Sequence, residues 1–158
     1  TESQTFLGIT EEGKASAVTP SSNPDCQIII RGGSQGPNFS SEQVAVGADL
    51  LRAKDLPPSV MIDCSHGNSQ RFTNEKLVTS IKDFNLQSLV AHKSIDQVLD
   101  YNQSIIGFML ESNIEEGNQK IPEDLSELKY GVSLTDACMN WETTKTLLSE
   151  VADRLRSR

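Results

Sequence analysis

The sequence contains no apolar run long enough to cross a bilayer. Its longest apolar stretches, such as QIII at 27–30 and SIIGFML at 104–110, fall far short of the roughly 20 residues that a spanning helix needs. The first ten residues also lack the basic head and the long apolar middle of a secretory signal. We therefore expect a cytoplasmic protein without a membrane partner.

Clustered positive charge and closely spaced cysteines are also lacking. The 14 Lys and Arg are scattered among 22 Asp and Glu, and the net charge is -8. A nucleic acid would meet repulsion instead of a phosphate-neutralising patch, so no nucleic-acid partner is expected. The three cysteines, Cys26, Cys64 and Cys138, lie far apart with no CxxC spacing, which argues against a disulfide scaffold or a structural zinc cluster.

Three short and nearly continuous apolar runs predict strands. They are CQIIIRGG at 26–33, VMIDCSH at 60–66 and SIIGFMLES at 104–112. Continuous hydrophobicity, without alternation, is typical of parallel strands that are covered on both faces by helices. A different pattern precedes them, because TFLGIT and KASAVT flank turn residues at 11–13 and predict an attached β-hairpin.

Helix-like segments alternate with the three predicted strands. Residues 40–54 open with a possible capping box of Ser40 and Gln43, residues 76–101 form a longer helical stretch, and residues 141–158 form an amphipathic helix. Basic residues in the last turn of that final helix complement its dipole. The repeated order of strand and helix predicts an α/β fold built from right-handed βα units.

Each of the three apolar runs ends in a chargeable residue, namely Arg31, His66 or Glu111. Side chains at the carboxyl ends of parallel strands converge at one edge of a sheet or barrel, so we expect these residues to meet in space. Arg31 and the glycine pair after it suit a phosphate, although Arg31 alone also fits a solvated turn residue. Glu111 ends a very apolar run, where an unpaired carboxylate is costly, so we expect a cation or a metal beside it.

Asp136, in SLTDACMNW, adds a second carboxylate, although Asp at such a place is also a common helix N-cap. One imidazole and two carboxylates, from His66, Glu111 and Asp136, form a mixed donor set suited to manganese, iron, cobalt or zinc. His66 taken alone is more often a structural histidine. Asp63, shortly before His66, is expected to orient the ligands, and Cys64 is a competing ligand of lower rank.

Four stretches, IIIRGG, MIDCSHGNS, GFMLESNIEEGNQ and YGVSLTDACMNWETT, closely resemble the C-terminal part of the class I 3-deoxy-D-arabino-heptulosonate 7-phosphate (DAHP) synthases. The resemblance covers most of the chain and is weakest over 70–103, where this sequence is longer than is usual. It implies the first step of the shikimate pathway, in which phosphoenolpyruvate condenses with erythrose 4-phosphate on a (β/α)8 barrel. It also implies a metal-dependent, aldol-type transferase that forms a homo-oligomer when complete.

The resemblance also implies roles for individual residues. His66, Glu111 and Asp136 match three of the family's metal ligands, His66 and Asp136 are assigned to catalysis as well, and Arg31 matches the residue that holds the phosphate of phosphoenolpyruvate. The hairpin matches the family's inserted strand pair, which helps to form the site of an inhibitory aromatic amino acid. Gly8 stands where phenylalanine-sensitive members tend to carry Ser, which favours tyrosine or tryptophan as the effector.

Only the runs that match strands six to eight of the family's barrel are present. The resemblance therefore implies that residues 1–158 form part of a barrel domain. Residues 1–20 would be a regulatory-type hairpin, and residues 26–158 would be the last three βα units. The family's cysteine ligand, its Lys-Pro-Arg-Thr motif, an Arg after the fourth strand and a Lys after the fifth have no counterpart. TESQ resembles the end of the fourth-strand motif, so we expect a chain that is internally deleted as well as truncated. An unpaired strand edge and an open apolar face predict marginal stability, and the loss of a metal ligand and of most phosphate contacts predicts negligible activity of the chain alone.

Two other functions compete with this interpretation. A non-catalytic regulatory or interaction module derived from the synthase would bind a full-length synthase subunit or an aromatic amino acid. A small metal-dependent hydrolase would use the same three ligands with an open position for water, but it does not account for the long motif matches.

Overall fold

The computed structural model describes residues 2–73 and 76–158, and only the backbone of residues 72, 73 and 76–81. Thr1, part of the predicted hairpin segment, and residues 74–75, part of the stretch of extra length, lie outside the described residues. The elements run in the order β1 (Phe6–Ile9), β2 (Ala15–Val18), β3 (Ile28–Ile30), α1 (Ser41–Arg52), β4 (Val60–Asp63), β5 (Gln70–Thr73), β6 (Lys76–Lys82), α2 (Leu86–Leu99), β7 (Ile105–Met109) and α3 (Trp141–Arg156), with 3-10 turns at His66–Ser69 and Leu125–Glu127.

Strands β3, β4 and β7 form a parallel sheet with β4 in the middle. Each predicted apolar run supplies one of these strands, so the prediction of an α/β fold is confirmed. The expectation of cover on both faces is wrong for these residues, because Ile30 and Ile62 are buried whereas Ile29 is 47% exposed. Side chains alternate across a strand, so helices on one side leave residues such as Ile29 of β3 and Ile106 of β7 open on the other side.

The hydrophobic core lies between this sheet and the three helices. Helix α1 packs against β3 and β4, α2 packs against β7, and α3 packs on α2. Burial of an aliphatic side chain contributes about 1.5–3 kcal/mol, so the core fixes the strands whose carboxyl ends carry the candidate site. The buried core residues are Ile30, Val44, Ala48, Val60, Ile62, Cys64, Val90, Ala91, Ile95, Met139, Leu147 and Val151.

The starts of α1 and α3 are fixed by side-chain caps. The predicted capping box of α1 is present, because Ser40 Oγ accepts a hydrogen bond from Gln43 N at 3.5 Å and the Gln43 side chain accepts one from Ser40 N at 3.4 Å. Asn140 caps α3. The N-cap alternative for Asp136 is therefore wrong. Among the described residues, no helix combines the length and the apolarity that crossing a bilayer requires.

The helix predicted over 76–101 is wrong in its first part. Residues Lys76–Lys82 form β6, which pairs with β5 as an antiparallel hairpin, and α2 begins only at Leu86. The sequence KLVTSIK explains the difference, since its Val, Thr and Ile are β-branched and favour strands. The stretch for which the resemblance implies extra length therefore includes a hairpin between β4 and α2.

Candidate metal centre

His66 occupies a tight turn directly after β4. Its φ of 44° is a left-handed conformation that is uncommon for a residue other than glycine. Nδ1 of the ring lies 2.7 Å from Oδ2 of Asp63, the last residue of β4, and Asp63 is only 1% exposed. The other oxygen of Asp63 accepts a hydrogen bond from Ser65 N at 2.8 Å. Asp63 thus engages Nδ1 and leaves Nε2 of His66 for other partners.

The structure brings His66, Glu111 and Asp136 together. Nε2 of His66 lies 3.5 Å from Oε1 of Glu111 and 4.0 Å from Oδ2 of Asp136. One donor atom from each of the three residues lies within 4.8 Å of the other two. Ligand atoms bind zinc at about 2.0–2.2 Å, so an ion between these atoms needs only small side-chain shifts. The donor set and its spacing therefore fit a divalent metal ion.

The main chain of Glu111 is held by Gln87, a fully buried residue of α2. Gln87 Oε1 accepts a hydrogen bond from Glu111 N at 2.8 Å, and Gln87 Nε2 donates to Glu111 O at 3.2 Å. Ser65 Oγ donates to Oε2 of the Glu111 side chain at 3.0 Å. Gln87 is not among the residues predicted from the sequence. Its only sequence signal is that it is a polar residue on the face of α2 that also carries Val90 and Ala91.

Asp136 comes from the long connection between β7 and α3. Paired bridges between Ser112 and Met139 and between Gly117 and Cys138 fold this connection back on itself. Its end is joined to the site because Met139 N donates to Glu111 O at 3.0 Å. The side chain of Asp136 is 56% exposed, so it is the most open of the three candidate ligands.

Lys82, the last residue of β6, brings a positive charge into the cluster. Its Nζ forms an ion pair with Glu111 and lies 3.8 Å from Oδ2 of Asp136. The side chain is only 10% exposed, and this burial lowers the pKa of Lys82, an effect that the neighbouring negative charges, that of Asp136 foremost, oppose. Lys82 is not among the residues predicted from the sequence, because it falls in a stretch predicted to be helical.

Arg31 lies at the same edge of the sheet, directly after β3. Its side chain is exposed and has no hydrogen bond or ion pair with any residue that the structure describes. The loop after Arg31 touches the His66 turn, since a Cβ added to Gly32 would lie 2.4 Å from the carbonyl carbon of Gly67. The structure therefore places Arg31 beside the strand of His66 but outside the contacts that join the three candidate ligands.

Asn68 ties these two loops together. Its Nδ2 donates to the carbonyl oxygens of Ile30 at 3.1 Å and Asp63 at 2.8 Å, so it joins the ends of β3 and β4. Its Oδ1 accepts a hydrogen bond from Asn38 N at 2.7 Å, and Asn38 Oδ1 accepts one from Gly32 N at 2.7 Å. A buried amide with all of these partners fixes the loop of Arg31 relative to the turn of His66.

Cys64, the competing ligand candidate, lies in the hydrophobic core. Burial raises the pKa of its thiol to about 12, and the negative charge of Asp63 adds to the shift. The thiolate is the form of cysteine that binds metals, so this environment disfavours Cys64 as a ligand. The structure does not place Cys64 in the group formed by His66, Glu111 and Asp136.

Gly8 lies in the predicted hairpin, which is present as the antiparallel pair of β1 and β2. It stands opposite Ser16, and a Cβ added at Gly8 would lie 2.7 Å from Cγ2 of Val18. A larger residue at this position would therefore displace the side chain of Val18. The regulatory role of Gly8 stays a prediction.

Comparisons with known proteins agree with these features. Residues 4–149 match the model of the DAHP synthetase I family. The chain is 46% identical over 151 residues to the Tyr-sensitive phospho-2-dehydro-3-deoxyheptonate aldolase of Enterobacter agglomerans, covering 96% of this chain and 65% of the relative. It is 40% identical over 159 residues to the phenylalanine-inhibited aldolase of Saccharomyces cerevisiae, covering 97% and 40%.

A solved structure gives the same result. Phospho-2-dehydro-3-deoxyheptonate aldolase from Francisella tularensis aligns with a TM-score of 0.82 at 35% identity, covering 99% of this chain and 42% of that structure. The chain thus spans between about two fifths and just under two thirds of the length of these relatives.

Proposed function

Because this chain belongs to the DAHP synthetase I family, we propose that it carries part of a 3-deoxy-7-phosphoheptulonate synthase. In this proposal the complete enzyme condenses phosphoenolpyruvate with erythrose 4-phosphate in the first step of aromatic amino acid biosynthesis. The main support is the convergence of His66, Glu111 and Asp136, which lie far apart in sequence, within 4.8 Å of one another.

The proposal assigns β3, β4 and β7 to strands six to eight of a (β/α)8 barrel, within residues 26–158, and residues 1–20 to a regulatory attachment. The parallel pairing of the three strands in chain order supports this assignment. Further support comes from Ile29, whose exposed face would become the packed interior of a closed barrel. Active sites of such barrels lie at the carboxyl ends of the strands, where these candidate residues are found.

His66, Glu111 and Asp136 would hold a divalent ion such as manganese, iron, cobalt or zinc. Such an ion, when bound, would supply Lewis-acid polarisation of the aldehyde of erythrose 4-phosphate. Asp63 orients the ring of His66 so that Nε2 is available as a metal ligand. Asp136 is the carboxylate most open to a substrate, and with His66 it is assigned to catalysis.

Arg31 would hold the phosphate of phosphoenolpyruvate. A guanidinium binds phosphate oxygens through paired hydrogen bonds, and the exposed side chain of Arg31 is available for such a contact. The contacts of Asn68 with the two loops would set the distance between this phosphate and His66. With the phosphate held, C3 of phosphoenolpyruvate attacks the aldehyde carbon, water adds at C2, and phosphate leaves.

The hairpin would take part in binding an aromatic amino acid effector. The names of the relatives from Enterobacter agglomerans and Saccharomyces cerevisiae indicate sensitivity to tyrosine and inhibition by phenylalanine, respectively. Gly8 favours tyrosine or tryptophan as the effector of this protein. We further propose that the complete synthase is a cytoplasmic homo-oligomer, and that the isolated chain has negligible activity because no residue matches the family's cysteine ligand.

The two histidines of the chain allow a matched test of the metal site. Manganese titration of the chain should give measurable binding, and His66→Ala should abolish it because one of three donors is lost. His92→Ala is the control, since His92 lies on α2 and faces Glu150 at 3.3 Å. Unchanged manganese affinity in His66→Ala would remove His66 from the site.

The expectation about activity has its own test. Purified chain supplied with manganese, phosphoenolpyruvate and erythrose 4-phosphate should form product at a negligible rate. A rate comparable with that of a complete synthase would show that the missing family motifs are dispensable and would contradict this part of the proposal.

A non-catalytic interaction module is the second candidate function. The exposed apolar side chains of Leu7, Ile9 and Ile29 favour it, since such surfaces are frequent in protein interfaces. Size-exclusion chromatography with and without a complete synthase tests this function. Co-elution of the chain with the synthase is the expected result for an interaction module, and separate elution excludes it.

A further inference from the structure

We propose that the ammonium group of Lys82 is an internal counter-ion of the metal site. Without a divalent ion, this ammonium group holds Glu111 and Asp136 together, and it leaves the site when a divalent ion binds. This inference rests on the proposed metal site. It concerns a residue that determines the metal affinity of that site.

Lys82 shares its carboxylate partners with His66. Glu111 presents Oε1 to His66 Nε2 at 3.5 Å and uses Oε2 for its ion pair with Lys82. The same oxygen of Asp136, Oδ2, lies 4.0 Å from His66 Nε2 and 3.8 Å from Lys82 Nζ. The ammonium group therefore lies at the edge of the space that the three candidate ligands enclose.

An ion bound by these ligands would meet the ammonium group. Divalent ions bind carboxylate oxygens at about 2.0–2.2 Å. Because Lys82 Nζ lies 3.8 Å from Oδ2 of Asp136 and is ion-paired with Glu111, an ion held by these residues would lie close to the ammonium group. Like charges at such a distance repel strongly in a partly buried site. The same two carboxylates neutralise either cation, so binding of the metal and docking of Lys82 exclude each other.

Release of Lys82 requires movement of its side chain alone. The next residue, Asp83, is fixed to the His66 turn because its N donates to Ser69 O at 2.9 Å. Arg71 Nε donates to Asp83 Oδ2 at 2.7 Å and closes the base of the β5–β6 hairpin. The backbone of Lys82 therefore stays beside the site, and the flexible four-carbon stem carries the ammonium group in or out.

Manganese titration of Lys82→Met, Lys145→Met and the unaltered chain at neutral pH tests this inference. Lys82→Met should bind manganese at least about tenfold more tightly, because the competing charge is gone. Lys145, an exposed residue of α3, provides the control, and its variant should bind as the unaltered chain does. Equal or weaker manganese binding by Lys82→Met overturns the inference about Lys82 but not the proposed metal site. Absence of manganese binding in all three proteins overturns both the inference and the proposed metal site.

A second test needs no substitution and applies even if Lys82→Met fails to fold. Acetic anhydride should modify Lys82 slowly in the metal-free chain, because its amine is buried and ion-paired. Saturating manganese should increase the modification of Lys82, measured by peptide mass spectrometry, and leave that of Lys145 unchanged. Modification of Lys82 that stays constant or falls when manganese is added overturns the inference.

Discussion

Nδ1 of His66 lies 2.7 Å from the buried carboxylate of Asp63, and Nε2 of the same ring faces Glu111 and Asp136. A carboxylate that accepts a hydrogen bond from one ring nitrogen orients the imidazole and makes the other nitrogen a better metal ligand. The geometry of the candidate site therefore depends on Asp63, a residue outside the group of three ligands.

Asp63→Asn tests this dependence with little change in size. The amide can still accept the hydrogen bond from Ser65 N, but it loses the charge that supports the ring of His66. We expect manganese affinity to fall about 10–100-fold, as measured by calorimetric titration. Asp49→Asn, at an exposed position on α1, is the control. An unchanged manganese affinity in Asp63→Asn would show that the ring needs no support from this acid.

Gln87→Leu tests the hold of α2 on Glu111. The leucine has a similar size but leaves Glu111 N without its hydrogen-bond acceptor in a partly buried position. We expect the free energy of unfolding in urea to fall by about 1–3 kcal/mol. Gln103→Leu, at an exposed position, should change it little. A similar loss in both variants would mean that the contact with Glu111 is not the cause.

Gly32→Ala and Gly33→Ala form a matched pair of neighbouring substitutions. Gly32 has a φ of 78°, and a Cβ there would lie 2.4 Å from the backbone of Gly67, whereas a Cβ on Gly33 meets nothing within 4 Å. We expect Gly32→Ala to lower the free energy of unfolding by about 2 kcal/mol or more, and Gly33→Ala to have a much smaller effect. Urea denaturation measures both, and equal effects would contradict the close contact of the two loops.

The ion pair between Arg71 and Asp83 predicts a dependence of stability on pH. Hydrogen bonds from Arg71 foremost, and also from Asn85, hold the pKa of Asp83 below its ordinary range. A carboxylate with a lowered folded-state pKa stabilises the fold above its unfolded-state pKa of about 3.9, and loses this contribution as pH falls through the folded-state value.

The difference in unfolding free energy between the unaltered chain and Asp83→Asn should therefore be largest above about pH 5 and narrow below about pH 4. Urea denaturation at a series of pH values measures it. Arg71→Met removes the other partner of the pair and should show the same narrowing. A difference that stays constant down to low pH would mean that the pair does not contribute.

The sequence predicts the sheet and the convergence of the ligands because both depend on local patterns. The apolar runs that end in His66 and Glu111 are strands, and parallel strands bring their carboxyl ends together. The boundary of α2 is missed because the apolar spacing of 86–99 continues from that of β6, which hides the change from strand to helix. Propensity alone decides between them, and the β-branched residues of β6 favour the strand.

The residues that support the site are harder to predict from the sequence. Gln87 bonds to the main chain of Glu111, 24 residues away, and Asn68 bonds to that of Asn38 and Ile30, 30 and 38 residues away. Such contacts leave no periodic signal. Lys82 enters the site only because a hairpin returns the chain to the turn of His66. The tertiary contacts that place these three side chains can be read only from the fold.

The left-handed φ of His66 affects which variants would be favoured by selection for thermal stability. A non-glycine residue in this region stores of the order of 1–3 kcal/mol of backbone strain, which glycine or asparagine would relieve. Variants chosen only for resistance to heat should therefore tend to replace His66, and would discard a donor of the candidate site in exchange for a more relaxed turn. Persistence of the histidine under such a screen would mean that its bond to Asp63 outweighs the conformational penalty.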